Sequence, residues 1–415
     1  MGEPDRHERS QRHLVGSNAT DAAGRTLTDI TIDLLFVGTL GASAFEMGLL
    51  NTLGSLAFVF ASIPAGQLVD KYTALRLLRI GLAGKLVVLG CLTILASSGM
   101  LNIAIGMLLC TLLGVCNVFS ETAQTSAVPQ LIGDDSESRT AGIGKLIARL
   151  SAADQSMTVI IPALAGTGFT LLGAPVLLSV AVALCILALM MAWRVRSYRE
   201  EQISHENRAS SVISDSMLAG LKYLFTNRQL AASTVAVALA NLGLAIGSSV
   251  EAIFVINDLG FGEFGFGLYA SIAGIGGLVG ALLATKIVNK FSSPRLFLWT
   301  GTTQILLALM MLGAAFTNEM WSIVLLGTQA LGWGSVTLIF NISASSWLVE
   351  ITPENILGRV LSARRLITFG AVPVGSLFGG ALGTVMGTPA ALAAWVAASM
   401  LAVLSFVILQ EPSKR

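Results

Sequence analysis

"LVDKYTALRL" (residues 68–77) and "IVNKFSSPRL" (residues 287–296) lie 219 positions apart and share Val, Lys and Arg-Leu at the same places. At the same spacing Phe45, Gly48 and Leu49 match Phe264, Gly267 and Leu268. Arg139 and Arg359 fall in corresponding loops, one residue off that spacing. A 415-residue chain that repeats itself at this distance is a duplicated unit, so the number of elements in each half decides the fold.

The composition names the kind of element. Hydrophobic residues make up 54% of the chain and charged residues only 12%, against about 25% in an average soluble domain. So few charges cannot cover the surface of a water-soluble protein of this length, and the class is a polytopic helical membrane protein. Apolar stretches near the spanning length of about 20 residues run at 46–69, 75–98, 101–124, 144–170, 174–195, 229–257, 263–287, 295–316, 319–347, 361–385 and 388–410. Lys71, Arg76 and Arg79 follow the first of these, Arg139 and Lys145 the third, Lys286, Lys290 and Arg295 the seventh, and Arg359, Arg364 and Arg365 the ninth. The alternate connections contain no Lys or Arg. This is the positive-inside pattern, and it predicts a cytoplasmic location for the basic loops. The net charge of +1 offers no basic surface to nucleic acid. Cys91, Cys110, Cys116 and Cys185 sit in apolar runs without metal-ligand spacing and read as small apolar fillers.

Parity settles the first span. The loop at Lys71 is inside, so the stretch 46–69 begins outside. The hydrophilic tail with Arg6, Arg9 and Arg12 carries no signal-peptide pattern and belongs inside. A segment between them must cross, and the one available contains "DAAGRTLTDITID" (residues 21–33). Its Asp21, Arg25, Asp29 and Asp33 share one helical face, with Ala23, Leu27, Ile30 and Leu34 opposite. The expected fold is therefore all-α, with twelve transmembrane helices in two pseudo-symmetric six-helix bundles. Residues 1–12 form a cytoplasmic tail, 13–195 the first bundle, 196–227 a cytoplasmic linker, 228–410 the second bundle and 411–415 a cytoplasmic tail. Two halves of the same orientation predict a substrate cavity between the bundles at mid-depth.

"GQLVDKYTALR" (residues 66–76) resembles the signature loop of the major facilitator superfamily through Gly66, Leu68, Asp70 and Lys71. The basic charges that close that motif stand here at Arg76 and Arg79, with Thr73 and Ala74 in place of the expected Gly and basic residue. "TAQTSAVPQLI" (122–132) and "GRVLSARRL" (358–366) resemble loops of the branch holding enterobactin-type siderophore exporters and macrolide efflux pumps. "IIPALAG" (160–166) keeps Pro162 and Gly166 of the antiporter motif but has Ile161 where Gly is expected. The resemblance implies a bacterial inner-membrane secondary transporter, working as a monomer and without a cofactor. It would export a small amphipathic molecule, a drug or siderophore, against protons. A nutrient importer and a lysophospholipid-type flippase are the transport alternatives, and a membrane scaffold or signalling protein the alternative class. No enzyme constellation is visible. The resemblance also makes Gly66, Asp70, Lys71 and Arg76, with Asn289, Lys290 and Arg295 in the repeat, a conformational gate. Asn289 replaces the aspartate of the first copy, so the two gates are unequal.

An ionisable group at mid-membrane costs at least about 2.5–3.5 kcal/mol on insertion scales and persists where it faces water or another charge. The candidates for coupling and for the cavity are Asp21, Arg25, Asp29, Asp33, Glu121, Arg149, Asp154 and Glu251. Helix spacing pairs Arg25 with Asp21 or Asp29, one turn away on either side, and Glu121 can meet Arg149 at the inner ends of their helices. Asp29 or Asp154 is expected to carry the proton, with Arg25 moving between partners. Lys85 is expected to snorkel to the cytoplasmic surface. Glycine spacing in "AGIGGLVGA" (273–281) and "FGAVPVGSLFGGALG" (369–383) predicts close helix packing.

Overall fold

The computed structural model describes residues 3–132, 136–195, 213–291 and 293–409, all of them in helices or short connections. In chain order the helices are α1 (Glu3–Leu34), α2 (Ala44–Lys71), α3 (Ala74–Ser97), α4 (Ile103–Ala127), α5 (Ser136–Leu172), α6 (Ala174–Arg194) and α7 (Ile213–Thr226). There follow α8 (Arg228–Ile253), α9 (Gly262–Lys290), α10 (Ser293–Ala314), α11 (Glu319–Ile351), α12 (Glu354–Met386) and α13 (Thr388–Leu409). Hydrocarbon offers no partner to a free N–H or C=O, so apolar runs of this length become helices. Among the described residues eleven helices are long and apolar enough to cross a membrane. The charged α1 falls outside that count, but it packs along α5 and α6 as an integral helix of its bundle.

The chain forms two compact units. In the first, α1 packs on α5 and α6, and α3 on α4 and α6. Its core joins Leu14, Leu78, Leu82, Ala123, Leu146 and Ala188, all buried. In the second, α8 packs on α12 and α13, and α10 on α11 and α13, the same scheme. There Phe297 stacks on Phe406 with ring centroids 4.3 Å apart, beside Phe340 and Trp347. Landmarks repeat as well. A π-helical turn ends α1 (Leu35–Thr39) and another ends α8 (Phe254–Asp258), each followed by a left-handed glycine, Gly41 or Gly260. Asn102 caps α4 by accepting from Ile105 N at 2.9 Å, and Asn318 caps α11 by accepting from Trp321 N at 3.1 Å.

Two helices are shared between the units. Ser43–Ser55 of α2 clusters with the second unit, and Gly262–Ser271 of α9 with the first. Each makes a glycine-on-glycine crossing. A Cβ on Gly380 would stand 2.6 Å from Ala44 O and 2.9 Å from Gly48 Cα; one on Gly166 would stand 2.7 Å from Glu263 O and 3.0 Å from Gly267 Cα. Polar bonds fasten both crossings: Thr52 Oγ1 donates to Pro373 O at 3.1 Å, and Ala163 N donates to Ser271 Oγ at 2.7 Å. The glycine stripes expected to pack do so, Gly276 and Gly280 against Leu331 and Ser335, and Gly375 and Gly379 against Leu242 and Ile246.

Two stretches expected outside the bundles are helical. Residues 3–12 lie in α1, with Gln11 Nε2 donating to Leu131 O at 3.2 Å. Within the linker, residues 213–226 form α7 and lie on α12, where Leu224 is buried with Leu230, Leu348 and Val360. The linker residues 196–212 and the tail 410–415 lie outside the described residues.

Candidate functional site

The intramembrane charges of the first unit converge on Arg25. Its Nη2 donates to Asp154 Oδ1 at 2.7 Å, and its Nη1 contacts Glu121 Oε1. One guanidinium thus joins α1, α4 and α5 through a fork suited to two carboxylates. The partners are not those the helix spacing suggested. Asp21, one turn toward the N-terminus, is taken by Lys85 of α3, with Nζ 2.5 Å from Oδ1. Asp29, one turn the other way, is solvent-exposed and has no ion-pair partner within 4.0 Å among the described residues. Helix spacing finds neighbours along α1, whereas the packing of α1 against α5 brings Asp154 into direct reach.

The two ion-pair systems sit in different surroundings. Arg25, Glu121 and Asp154 have side chains 21, 42 and 36% exposed. They line a cavity of about 300 Å³ with Asn18, Ala22, Gln124, Thr125, Leu150 and Ser151. Asp21 and Lys85 are 4 and 5% exposed. Lys85 therefore does not snorkel. It follows Ala74, which opens α3, by three helical turns, about 16 Å along the axis, too deep for its stem to reach either surface. Asp21 and Arg25 both line the cavity and a second, smaller space that also meets Asp29, Lys85, Asn117 and Cys185.

The remaining candidates are dispersed. Arg149 is exposed, and Glu121 has Arg25 as its ion-pair partner in place of Arg149. Asp33 is partly buried on α1 and Glu251 partly buried on α8, in different units. In the gate loops Arg76 lies over the Tyr72 ring at 5.9 Å and Lys290 over Phe291 at 5.9 Å, while Arg295 is exposed. The side chains of Asp70, Lys71 and Asn289, with Gly66, lie outside the described residues. No group of three His, Cys, Asp or Glu side chains among the described residues could hold a metal ion.

The second unit supplies an internal comparison. The π-turns align α1 with α8, the helix starts Ala74 and Ser293 align α3 with α10, the Asn102 and Asn318 caps align α4 with α11, and the left-handed Gly173 and Gly387 align α5 with α12. By this register Ala240 stands for Asp21, Leu244 for Arg25, Ser248 for Asp29, Ala252 for Asp33, Gln304 for Lys85, Thr337 for Glu121 and Thr368 for Asp154. Every charge of the network is neutral in the copy, and Gln304 Nε2 donates to Thr337 Oγ1 at 3.5 Å where Lys85 and Glu121 would stand.

A family model for the Major Facilitator Superfamily matches residues 14–346. No protein of curated function matches the chain in sequence. Among solved structures, a point mutant of the nucleoside transporter NupG superposes with a TM-score of 0.79 at 14% identity, over 97% of this chain and all of that one. A bacterial homologue of the iron transporter ferroportin, in an inward-facing state, gives 0.72 at 15% identity over the whole of both chains. A POT family transporter in complex with a thioalcohol-conjugated peptide gives 0.70 at 14% identity, over 96% of this chain and 95% of that one. At such identities the likeness is one of fold, and the neighbours do not single out the siderophore and macrolide exporter branch. Two units with one packing scheme, eleven apolar spanning helices beside a charged α1, and a family match over most of the length lead to one conclusion: this chain belongs to the Major Facilitator Superfamily and is a membrane transporter, not an enzyme.

Proposed function

We propose that the protein is a proton-coupled exporter of a small cationic amphipathic molecule, working by alternating access from a bacterial inner membrane with its basic loops in the cytoplasm. The observation that carries this reading is Arg25 held jointly by Glu121 and Asp154 on the wall of the 300 Å³ cavity. The wall and the residue behind it present three carboxylates, Asp21, Glu121 and Asp154, against two cations, Arg25 and Lys85. One negative charge is left over, and a cationic cargo or a proton neutralises it. That makes a drug-like cation a better cargo than an anionic siderophore.

Exchange follows from competition for the same oxygen atoms. A proton on Asp154 ends its ion pair with Arg25, whose charge is permanent. The freed guanidinium finds Asp29 one helical turn away, exposed and without an ion-pair partner. A cationic cargo displaces Arg25 from Glu121 in the same way. Because proton and cargo draw on one set of carboxylates, binding of either biases the conformational equilibrium against the other.

Inverted membrane vesicles loaded with a fluorescent lipophilic cation test this. The wild type concentrates the cation when a proton gradient is imposed. Asp29→Asn and Asp154→Asn lose the gradient-driven flux but keep downhill exchange. Full proton-coupled flux in both variants would end the coupling scheme, and no gradient-dependent flux in the wild type would end the antiport reading.

A further inference from the structure

Lys85 enters the transport scheme only through its charge, because it neither lines the 300 Å³ cavity nor forms an ion pair with Arg25. We propose that Lys85 is a positioning residue: by neutralising Asp21 it removes a competing partner one turn before Arg25 and so commits the guanidinium to Glu121 and Asp154 across the cavity. The inference rests on the reading of that cavity as the transport site.

Three observations carry it. Asp21 and Arg25 are one turn apart on α1, a spacing at which carboxylate and guanidinium pair readily. Asp21 also lines the same cavity as Arg25. With Lys85 Nζ 2.5 Å away, the Asp21 charge is answered from the far side, away from the cavity. Without Lys85, the Asp21 carboxylate would stand bare one turn before Arg25, an acid-before-base order that pairs better than the reverse order of Asp29, which leaves Arg25 on α4 and α5 in this structure.

The second unit separates this role from simple cementing of helices. Its α8 and α10 occupy the places of α1 and α3 and carry Ala240 and Gln304 at the matching positions. The same packing scheme therefore forms without any charge pair there. A buried pair also contributes little net stability compared with an apolar replacement, so stability alone does not account for it. What distinguishes the first unit is an arginine one turn further along, which the copy lacks because Leu244 stands there.

The experiment measures the coupling between Arg25 and Asp154 by a double-mutant cycle (Arg25→Gln, Asp154→Asn) on the purified full-length protein, read as thermal unfolding shifts. It runs in four backgrounds: wild type, Lys85→Gln, Asp21→Ala/Lys85→Gln and Lys85→His. The double substitution copies what the second unit already contains. Coupling is expected in the wild type, lost in Lys85→Gln, and restored in the double variant. Gradient-driven flux should fall at least about tenfold in Lys85→Gln, equivalent to about 1.4 kcal/mol. In Lys85→His the neutralising charge titrates, so coupling should be present at low pH and fall as the imidazole loses its proton. The other titratable groups around that side chain are Asp21, Arg25 and Asp29 of α1, Cys116 of α4 and Cys185 of α6.

Undiminished coupling in Lys85→Gln, or a pH-independent cycle in Lys85→His if Lys85→Gln does not fold, overturns the proposal. A double variant that fails to fold shows the pair to be structural and overturns it too. A folded double variant in which the coupling stays lost also overturns it, because removing Asp21 should leave Arg25 to Glu121 and Asp154 again. The cycle needs no cargo, so if it behaves as expected while no proton-driven flux exists in any background, the transport reading fails and the positioning role stands.

Discussion

A single methyl group at a glycine crossing should measurably open it. Gly267→Ala would place its Cβ 2.5 Å from Pro162 O and 2.8 Å from Gly166 Cα, where the closest ordinary contacts start at 3.4 Å. Both obstacles are backbone, so no side chain can turn aside, and α9 must retreat from α5 by about 0.6–0.9 Å. Overpacking of this kind costs about 1–3 kcal/mol. Applied to an equilibrium between closed and open crossings, that multiplies the open population roughly 5–150-fold. Ser271 reports the change, because it is 5% exposed and fastened to Ala163 N within the crossing. With the four native cysteines replaced, Ser271→Cys should react with an impermeant maleimide faster by that factor when Gly267→Ala is present. Gly380→Ala should act likewise on the crossing of α2 with α12, and the two costs should add because the sites share no partners. Gly54→Ala is the control: nothing lies within 4 Å of its Cβ position, and the rate should not move. Equal rates in Gly267→Ala and Gly54→Ala would refute the reasoning, since contact geometry would then have no bearing on opening.

Other outcomes follow from burial. Asp21→Ala strands Lys85 in a site 5% exposed and should cost about 3–5 kcal/mol, whereas Glu121→Gln, at a side chain 42% exposed, should cost about 1 kcal/mol or less; thermal unfolding in detergent ranks the two. Phe406→Ala removes a fully buried ring that packs on Phe297 and Trp347 and should cost about 3–5 kcal/mol in the same assay. Asn102→Ala deletes the acceptor for Ile105 N at the start of α4 and should cost about 1 kcal/mol, with faster amide exchange confined to the first turn of that helix.

Spanning helices were legible because apolar length and loop charge are properties of the chain itself. α1 was legible only through parity, since its charges hide it from any hydropathy reading. The ion pairs were another matter. Spacing along α1 named Asp21 and Asp29 as partners for Arg25, and both are near it, yet the partners are Glu121 and Asp154. Which helices stand beside α1 is decided by packing over the whole bundle, and the sequence holds no local record of it. Lys85 carried one usable sign, its depth along α3, which exceeds the reach of a lysine stem. The linker helix α7 is hidden in the sequence by the polar run before it, although Met217, Leu221 and Leu224 recur at helical spacing.

The π-helical turns that end α1 and α8 have a historical meaning. In each, a backbone N–H reaches five residues back, Leu40 N to Leu35 O at 2.8 Å and Leu259 N to Phe254 O at 3.0 Å. Such a turn holds one residue more than an α-helical turn, so gaining or losing it rotates everything beyond by about 100°. Two independent insertions at matching positions, each followed by a left-handed glycine, would be a coincidence; one insertion in an ancestral half-length gene explains both. The two copies, once joined, were free to diverge, and the ionisable groups now sit at these positions in only one of them.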